Sequence, residues 1–310
     1  MLLPNSVPVN SLNHPILSQK GIKLAIKRLD LVHTEVSGNK FFKLKYNLEQ
    51  AKIEGKHSVL TFGGAFSNHI YATAEAAKAE SLESIGIIRG EKIEPLNATL
   101  AHAEQRGMQL HFIDRKSYRE KATADFLNQI NEKFGDFYLI PEGGTNELAI
   151  KGTQEILDSS DKQFTHICTS IGTGGTFAGI FSSLSANQQI IGFSSLKGEF
   201  IRQEISELLK VQQLSNPRSL EIFTNYHFGG YAKYRKELIE FIWWFYENFG
   251  LVLDPIYTGK MAYGLWDLIQ QGFFPKGSKI LMIHTGGLQG NIGFTERTGI
   301  ELPPQAPRDM

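Results

Sequence analysis

The sequence predicts an α/β protein built on open, twisted, mostly parallel sheets flanked by helices. Two patterns carry that prediction. Apolar runs of strand length alternate with stretches of helical rhythm along nearly the whole chain, the order that builds parallel βαβ units. Each glycine-bearing stretch (FGGAFSN, SIGTGGT, HTGG) directly follows a predicted strand. That places the glycines at the carboxyl edge of a sheet, where open α/β sheets bind ligands.

The elements follow in order. IKLAIKRLDL alternates Ile22, Leu24 and Ile26 against Lys23 and Lys27, a strand period. Phe41, Leu44, Leu48 and Ala51 then share one helical face. SVLTF (58–62) reads as a strand, followed by GGAFSN and an alanine-rich helix reaching about Ala79. ESIGII, QLHFI and DFYLI are further strands with helical stretches between them. FTHICTS (164–170) reads as a buried strand entering a glycine loop, then QIIGFSS, LEIFT and finally KILMIHTGG. LVLDP is expected to end a strand at Asp254-Pro255. No linker, repeat or low-complexity tract marks a boundary.

Composition narrows the function. The chain has 310 residues, enough for two lobes, and 32 basic residues balance 32 acidic ones. A neutral balance points to no nucleic acid or acidic membrane surface as partner. The start MLLPNSVPVNSLNHP lacks a basic region followed by an apolar core, so no signal peptide is read. LIEFIWWFYENFGLVL is interrupted by Glu240 and Glu247 and is too short to span a bilayer. Cys168 is the one cysteine, which excludes an internal disulfide and fits a reducing, cytoplasmic setting. No metal is assigned.

Five stretches carry chemistry. In SIGTGGTFAG, Gly172, Thr173, Gly174, Gly175 and Thr176 open a helix after a strand, so backbone N–H groups and two hydroxyls face a ligand. No Gly-Lys-Ser/Thr follows, Phe177 breaks the dinucleotide fingerprint, and no acidic residue ends the next strand. A terminal monophosphate fits better than a dinucleotide; the bland reading is a tight turn. In SGNKFFKL, Lys40 stands at a helix N-terminus, whose dipole disfavours an ammonium and so favours a nucleophilic amine. Lys43, one turn on, could reach the same phosphate; alternatively both lysines are solvated. In TFGGAFSNH, either Ser67 or Asn68 simply caps a helix, or the turn's free N–H groups hold a substrate carboxylate, Asn68 donates to a phenolate oxygen and Ser67's hydroxyl acts on the substrate. In LDPIYTGK, Tyr257 and Thr258 either sit in an ordinary turn or point over the strand edge. HTGGLQGN supplies one more glycine-lined edge, with Thr285 directed to a ligand ring or merely in a loop.

Taken together, SGNKFFKL, GGAFSNH, SIGTGGT, DPIYTGK and HTGG, in that order, resemble the fold-type II pyridoxal-phosphate enzymes. The similarity is greatest to the subgroup of D-cysteine desulfhydrase and 1-aminocyclopropane-1-carboxylate deaminase, and it spans residues 37 to 287. The resemblance implies pyridoxal 5'-phosphate in a cleft between two domains. The larger domain would comprise 1–42 and 146–310, and a smaller one, 43–145, would be inserted in it. Lys40 matches the lysine bonded to the cofactor, Asn68 the residue at the ring oxygen, and Gly172 to Thr176 the phosphate cup, with Lys43 an added contact. Ser67 matches the serine near the substrate carboxylate, with Asn68 and His69 beside it, and Tyr257 a tyrosine near the reacting atoms. A small amino acid is the implied substrate and a homodimer the implied assembly.

Departures from the pattern weigh on the substrate. Ring-opening deaminases carry Tyr-Glu where this chain has Tyr257-Thr258. A threonine beside the pyridine nitrogen leaves a weaker electron sink, which pulls toward β-elimination from D-cysteine. His69 replaces the deaminases' glutamine, and the stretch before Lys40 is shorter. Ring opening to 2-oxobutanoate, or elimination from D-serine or 3-chloro-D-alanine, stay as alternatives within the family. A non-catalytic protein that binds a phosphorylated ligand is the alternative from another class, but it leaves SGNK and GGAFSN without a role.

Overall fold

Ten strands form two sheets in the computed structural model, which describes residues 3–211 and 220–305. The strands are β1 (Val9–Leu12), β2 (Lys23–Arg28), β3 (Ser58–Gly64), β4 (Glu83–Arg89), β5 (Met108–Ile113), β6 (Tyr138–Ile140), β7 (His166–Ile171), β8 (Gln189–Ser194), β9 (Leu220–Phe223) and β10 (Lys279–His284). The six-stranded sheet runs β1-β2-β10-β7-β8-β9 and the four-stranded sheet β5-β4-β3-β6. Every neighbouring pair is parallel except β1 with β2. Helices connect the parallel strands, because a parallel crossover needs a long return segment.

The strands predicted from apolar runs are all present, with two differences. β1 escapes sequence reading because VNSL has one buried residue, Leu12, and sits antiparallel at the sheet edge. An edge strand buried on so little of its surface shows no apolar run. Conversely, LVLDP is not a strand. Its polar backbone groups find side-chain partners instead: Val252 O pairs with His284 Nε2 (2.9 Å), Leu253 O accepts from Asn291 Nδ2 (3.3 Å) and Asp254 N donates to Thr258 Oγ1 (2.8 Å). Satisfied this way, a buried segment needs no ladder.

Packing explains the central elements. Every residue of β7 is buried, as expected for a parallel strand covered on both faces. Phe41, Leu44, Leu48 and Ala51 all lie in the core, so the helix Asn39–Ile53 is fixed by its apolar stripe. The helix Asn68–Ala79 packs through alanines at 72, 74, 76 and 77, which let it approach closely. No helix among the described residues is long and apolar enough to cross a membrane. β3, β7 and β10 end at Gly64, Ile171 and His284, immediately before AFSNH, GTGGT and TGG.

Candidate active site

The backbone brings Lys40 beside the SIGTGGT and HTGG stretches. Gly38, before the helix, has φ 74° and ψ −156°, a region essentially closed to other residues. A Cβ there would lie 2.1 Å from Thr285 O. The close approach lets Asn39 N donate to Thr285 O (3.1 Å) while Gly38 N donates to Leu29 O (2.9 Å). The Asn39 side chain then spans two stretches: Nδ2 donates to Thr176 Oγ1 (2.7 Å), and Oδ1 accepts from Lys40 Nζ (3.2 Å). SGNK, SIGTGGT and HTGG are thereby locked together.

Burial brings Lys40 down to about 8, partly opposed by the negative charge of Asp254. Loss of hydration is the main cause, where the sequence suggested the helix end. Lys43 is buried and donates to Gly143 O (2.6 Å), Thr145 Oγ1 (2.9 Å) and Thr173 Oγ1 (3.4 Å). Burial, and then the neighbouring Lys40, hold Lys43 well below the usual lysine range. Two amines so close cannot both carry a proton cheaply.

The glycine loop meets these lysines from the other side. Gly174, at φ 83°, starts the helix Gly175–Ser183 without a side-chain cap. Its first N–H groups are therefore open to an anion. Thr173 Oγ1 shares a hydrogen bond with Thr145 Oγ1 at 2.6 Å. A Cβ on Gly175 would sit 3.1 Å from both Lys43 Cε and Thr145 Oγ1, a tight contact that would press on the lysine stem.

Ser67 caps the helix Asn68–Ala79, accepting from His69 N (3.2 Å) and Ile70 N (3.3 Å). The cap uses the lone pairs and leaves the hydroxyl proton available. Asn68 Oδ1 accepts from Gln289 Nε2 (3.2 Å), and a Cβ on Gly287 would meet Asn68 Nδ2 at 2.6 Å. The GGAFSN and HTGG stretches therefore touch through Asn68. His69 is buried and pairs through Nε2 with Thr61 Oγ1 (2.8 Å), whose own proton goes to Ile140 O (2.8 Å). Burial, then Lys40 and Lys43, push His69 well below its usual value, so it is neutral near pH 7. Thr285 Oγ1 lies 3.3 Å from Ser170 Oγ.

Asp254 organises the remaining stretch. Its Oδ1 accepts from Ile256 N (2.9 Å) and Tyr257 N (2.7 Å), and its Oδ2 from Thr258 N (2.9 Å) and Thr258 Oγ1 (2.5 Å). Thr258 also accepts from Asp254 N, so its hydroxyl proton is committed to the carboxylate. Tyr257 lies along the glycine loop, with a Gly172 Cβ only 3.0 Å from its Cε1. Tyr231 meets it edge-on, ring centroids 6.1 Å apart. Burial and the neighbouring Tyr231 push the Tyr257 phenol well up, so it stays protonated.

All five predicted stretches converge, then, through Asn39, Lys43, Asn68 and Tyr257. Sequence reading assigned no role to Asp254, Tyr231, Thr145 or Gln289. Asp254 stood in plain view as the residue before a proline, and Tyr231 beside a Gly-Gly pair. Thr145 carries no sequence signal, and Gln289 none beyond its place in HTGGLQGN. The set offers an amine brought down to about 8, a second amine one helical turn on that bonds the glycine loop, and a carboxylate and two phenols at Asp254, Tyr257 and Tyr231. Those donors fit an aldehyde that carries a phosphate.

The family model for pyridoxal-phosphate dependent enzymes matches residues 7–286. The chain is 34% identical to the mitochondrial bifunctional D-cysteine desulfhydrase/1-aminocyclopropane-1-carboxylate deaminase of Arabidopsis thaliana, over 91% of this chain and 76% of that protein. It is 26% identical to the D-cysteine desulfhydrase of Serratia proteamaculans, over 92% of each chain. Among solved structures, an ACC deaminase homologue superposes with a TM-score of 0.82 at 31% identity, over 96% of this chain and 94% of the other.

Proposed function

Since the chain belongs to the pyridoxal-phosphate dependent enzymes of fold-type II, we propose that it is a lyase acting by β-elimination on D-cysteine or a closely related amino acid. The observation that carries this reading is the state of Thr258, which holds no carboxylate toward the site and gives its proton to Asp254. A site without an acid at this position suits expulsion of a good leaving group such as thiolate better than cleavage of a carbon–carbon bond.

In this reading Lys40 Nζ would bond pyridoxal phosphate, the amides of 172–176 with Lys43 would hold its phosphate, and Asn68 and Thr258 would contact its ring. Bound there, the cofactor withdraws electrons from the substrate's α-carbon. Lys40 would take the substrate's α-proton on Nζ, a step worth roughly 10²–10⁴-fold. Its lowered proton affinity supports that role. The hydroxyl proton of Ser67 and the adjacent helix N–H groups orient the substrate carboxylate, with His69 neutral beside them. Tyr257 keeps its proton and can give it to the departing sulfur. D-cysteine and water become pyruvate, ammonia and hydrogen sulfide.

The cleft of this reading lies between a unit formed by 1–42 with 146–310 and one formed by 43–145. In support, β3 to β6, the whole second sheet, fall inside 43–145. A cytoplasmic homodimer completes the proposal; the lone buried Cys168 agrees with a reducing compartment.

A second reading is ring opening of 1-aminocyclopropane-1-carboxylate to 2-oxobutanoate and ammonia. It is favoured by the deaminase half of the Arabidopsis relative's name and by the solved deaminase homologue. One assay separates the two. Purified yellow protein is given each amino acid, and pyruvate with sulfide is scored against 2-oxobutanoate. We expect the former at the higher rate; the reverse order replaces the first reading with the second. Colourless protein that takes up no cofactor, and no lysine labelled by borohydride, rejects both.

A further inference from the structure

One helix that enters the site also grips a loop outside it. In the helix Thr258–Gln271, Thr258 stands at the N-terminus beside Tyr257. Lys260, Tyr263, Gly264 and Asp267 follow at helical spacing and share a face. All four meet the segment 226–230. Lys260, 1% exposed, donates from Nζ to Gly230 O at 2.7 Å. The Tyr263 ring meets Phe228 edge-on at 4.9 Å. A Cβ on Gly264 would lie 2.9 Å from the Tyr226 ring, and Asp267 Oδ2 accepts from Tyr226 Oη at 2.7 Å.

The gripped segment is strained. Phe228 has φ 53°, Gly229 101°, Gly230 114° and Ala232 55°. Phe228 and Ala232 are not glycines, and such backbone persists only where its surroundings hold it. Between Gly230 and Ala232 stands Tyr231, 42% exposed, whose ring faces Tyr257 at the site. A buried amine costs free energy unless it is well bonded. An apolar residue of similar length would pack at position 260 without that cost, so retention of the amine needs a reason.

We infer that Lys260 is a positioning residue: its bond to Gly230 O holds the strained 227–232 loop so that Tyr231 lies against Tyr257 at the substrate site. This inference rests on the proposed function only in placing substrate next to Tyr257.

The test uses the cofactor-loaded enzyme and the variants Lys260→Met, which keeps the stem and loses the donor, and Lys260→Gln, which keeps an N–H. Amide hydrogen exchange is read over 228–233. We expect Lys260→Met to exchange about tenfold faster or more there, with little change elsewhere, and Lys260→Gln to stay nearer the parent. With the turned-over amino acid, Lys260→Met should raise KM several-fold with a smaller effect on kcat. Added to Tyr231→Ala it should give no further change, because both act through one ring. Unchanged exchange at 228–233 overturns the inference, as do losses that multiply in the double variant. Should Lys260→Met not fold, Lys260→Leu against Lys260→Gln gives the same contrast, and equal exchange in the two overturns it. The exchange measurement needs no substrate. A loosened loop in a protein that turns over no amino acid would refute the proposed function and leave the tether standing.

Discussion

Replacing Lys40 by methionine should make the cofactor-free protein more stable at neutral pH while abolishing its chemistry. Burial lowers the amine from 10.5 to about 8, net of the attraction of Asp254. Between those values the unfolded chain binds a proton that the folded chain does not, so stability rises with pH across that window. Below about pH 8 Lys40 is charged in both states and the whole penalty of burying it applies. The gap between 10.5 and about 8 is worth about 3 kcal/mol at about 1.4 kcal/mol per pH unit. Lys40 is half-buried, so solvent reaches part of the side chain and the realised penalty is smaller, about 1–3 kcal/mol. Methionine keeps the length and has no charge to desolvate. Its presence also relieves Lys43, which Lys40 depresses. Urea unfolding of cofactor-free parent and variant at about pH 7 and about pH 10 reads the difference directly. The variant should lead by about 1–3 kcal/mol at the lower pH and lose most of that lead at the higher. A variant less stable than the parent at neutral pH, or a lead that ignores pH, would refute the claim that desolvation activates this amine.

Other expectations follow from the same contacts. Gly38→Ala should cost at least about 3 kcal/mol, since backbone strain of about 1–3 kcal/mol adds to a Cβ placed 2.1 Å from Thr285 O. Gly250→Ala, at φ 67° with nothing within 4 Å, should cost only about 1–2 kcal/mol; equal costs by urea unfolding would deny the clash. Thr258→Val removes a donor and an acceptor from buried Asp254 and should lose about 2–4 kcal/mol by thermal or denaturant melting. The rate at which borohydride traps Lys40 on added pyridoxal should rise with pH around an inflection near 8, and Asp254→Asn should move that inflection down, because Asp254 alone opposes the effect of burial. An inflection that moves up would show the carboxylate plays no such part.

Much of the site was legible in the chain because its parts are local. A strand that ends in glycines and opens a helix exposes N–H groups wherever it folds, so SIGTGGT and GGAFSN advertise their use. Asn39 was less legible: its bond to Thr176 joins residues 137 apart, and no spacing rule reports that. Lys43 was read as a phosphate contact, yet its firmest bonds, to Gly143 and Thr145, lie 100 and 102 residues away. The strand expected at LVLDP failed for a related reason. Its apolar run was real, but side chains of Thr258, His284 and Asn291 took up the backbone groups that a neighbouring strand would otherwise have paired.

By itself the sequence determined the α/β class and placed the glycine stretches at strand ends, because periodicity and glycine placement act within a dozen residues; Lys40 was singled out through the resemblance. Tertiary structure alone decided how that amine behaves. The proton affinity of Lys40, the proton direction of Thr258 and the meeting of Tyr231 with Tyr257 depend on what excludes water and which charge stands opposite. Those are properties of segments brought together from distant parts of the chain, and Coulomb and desolvation energies follow distance in space.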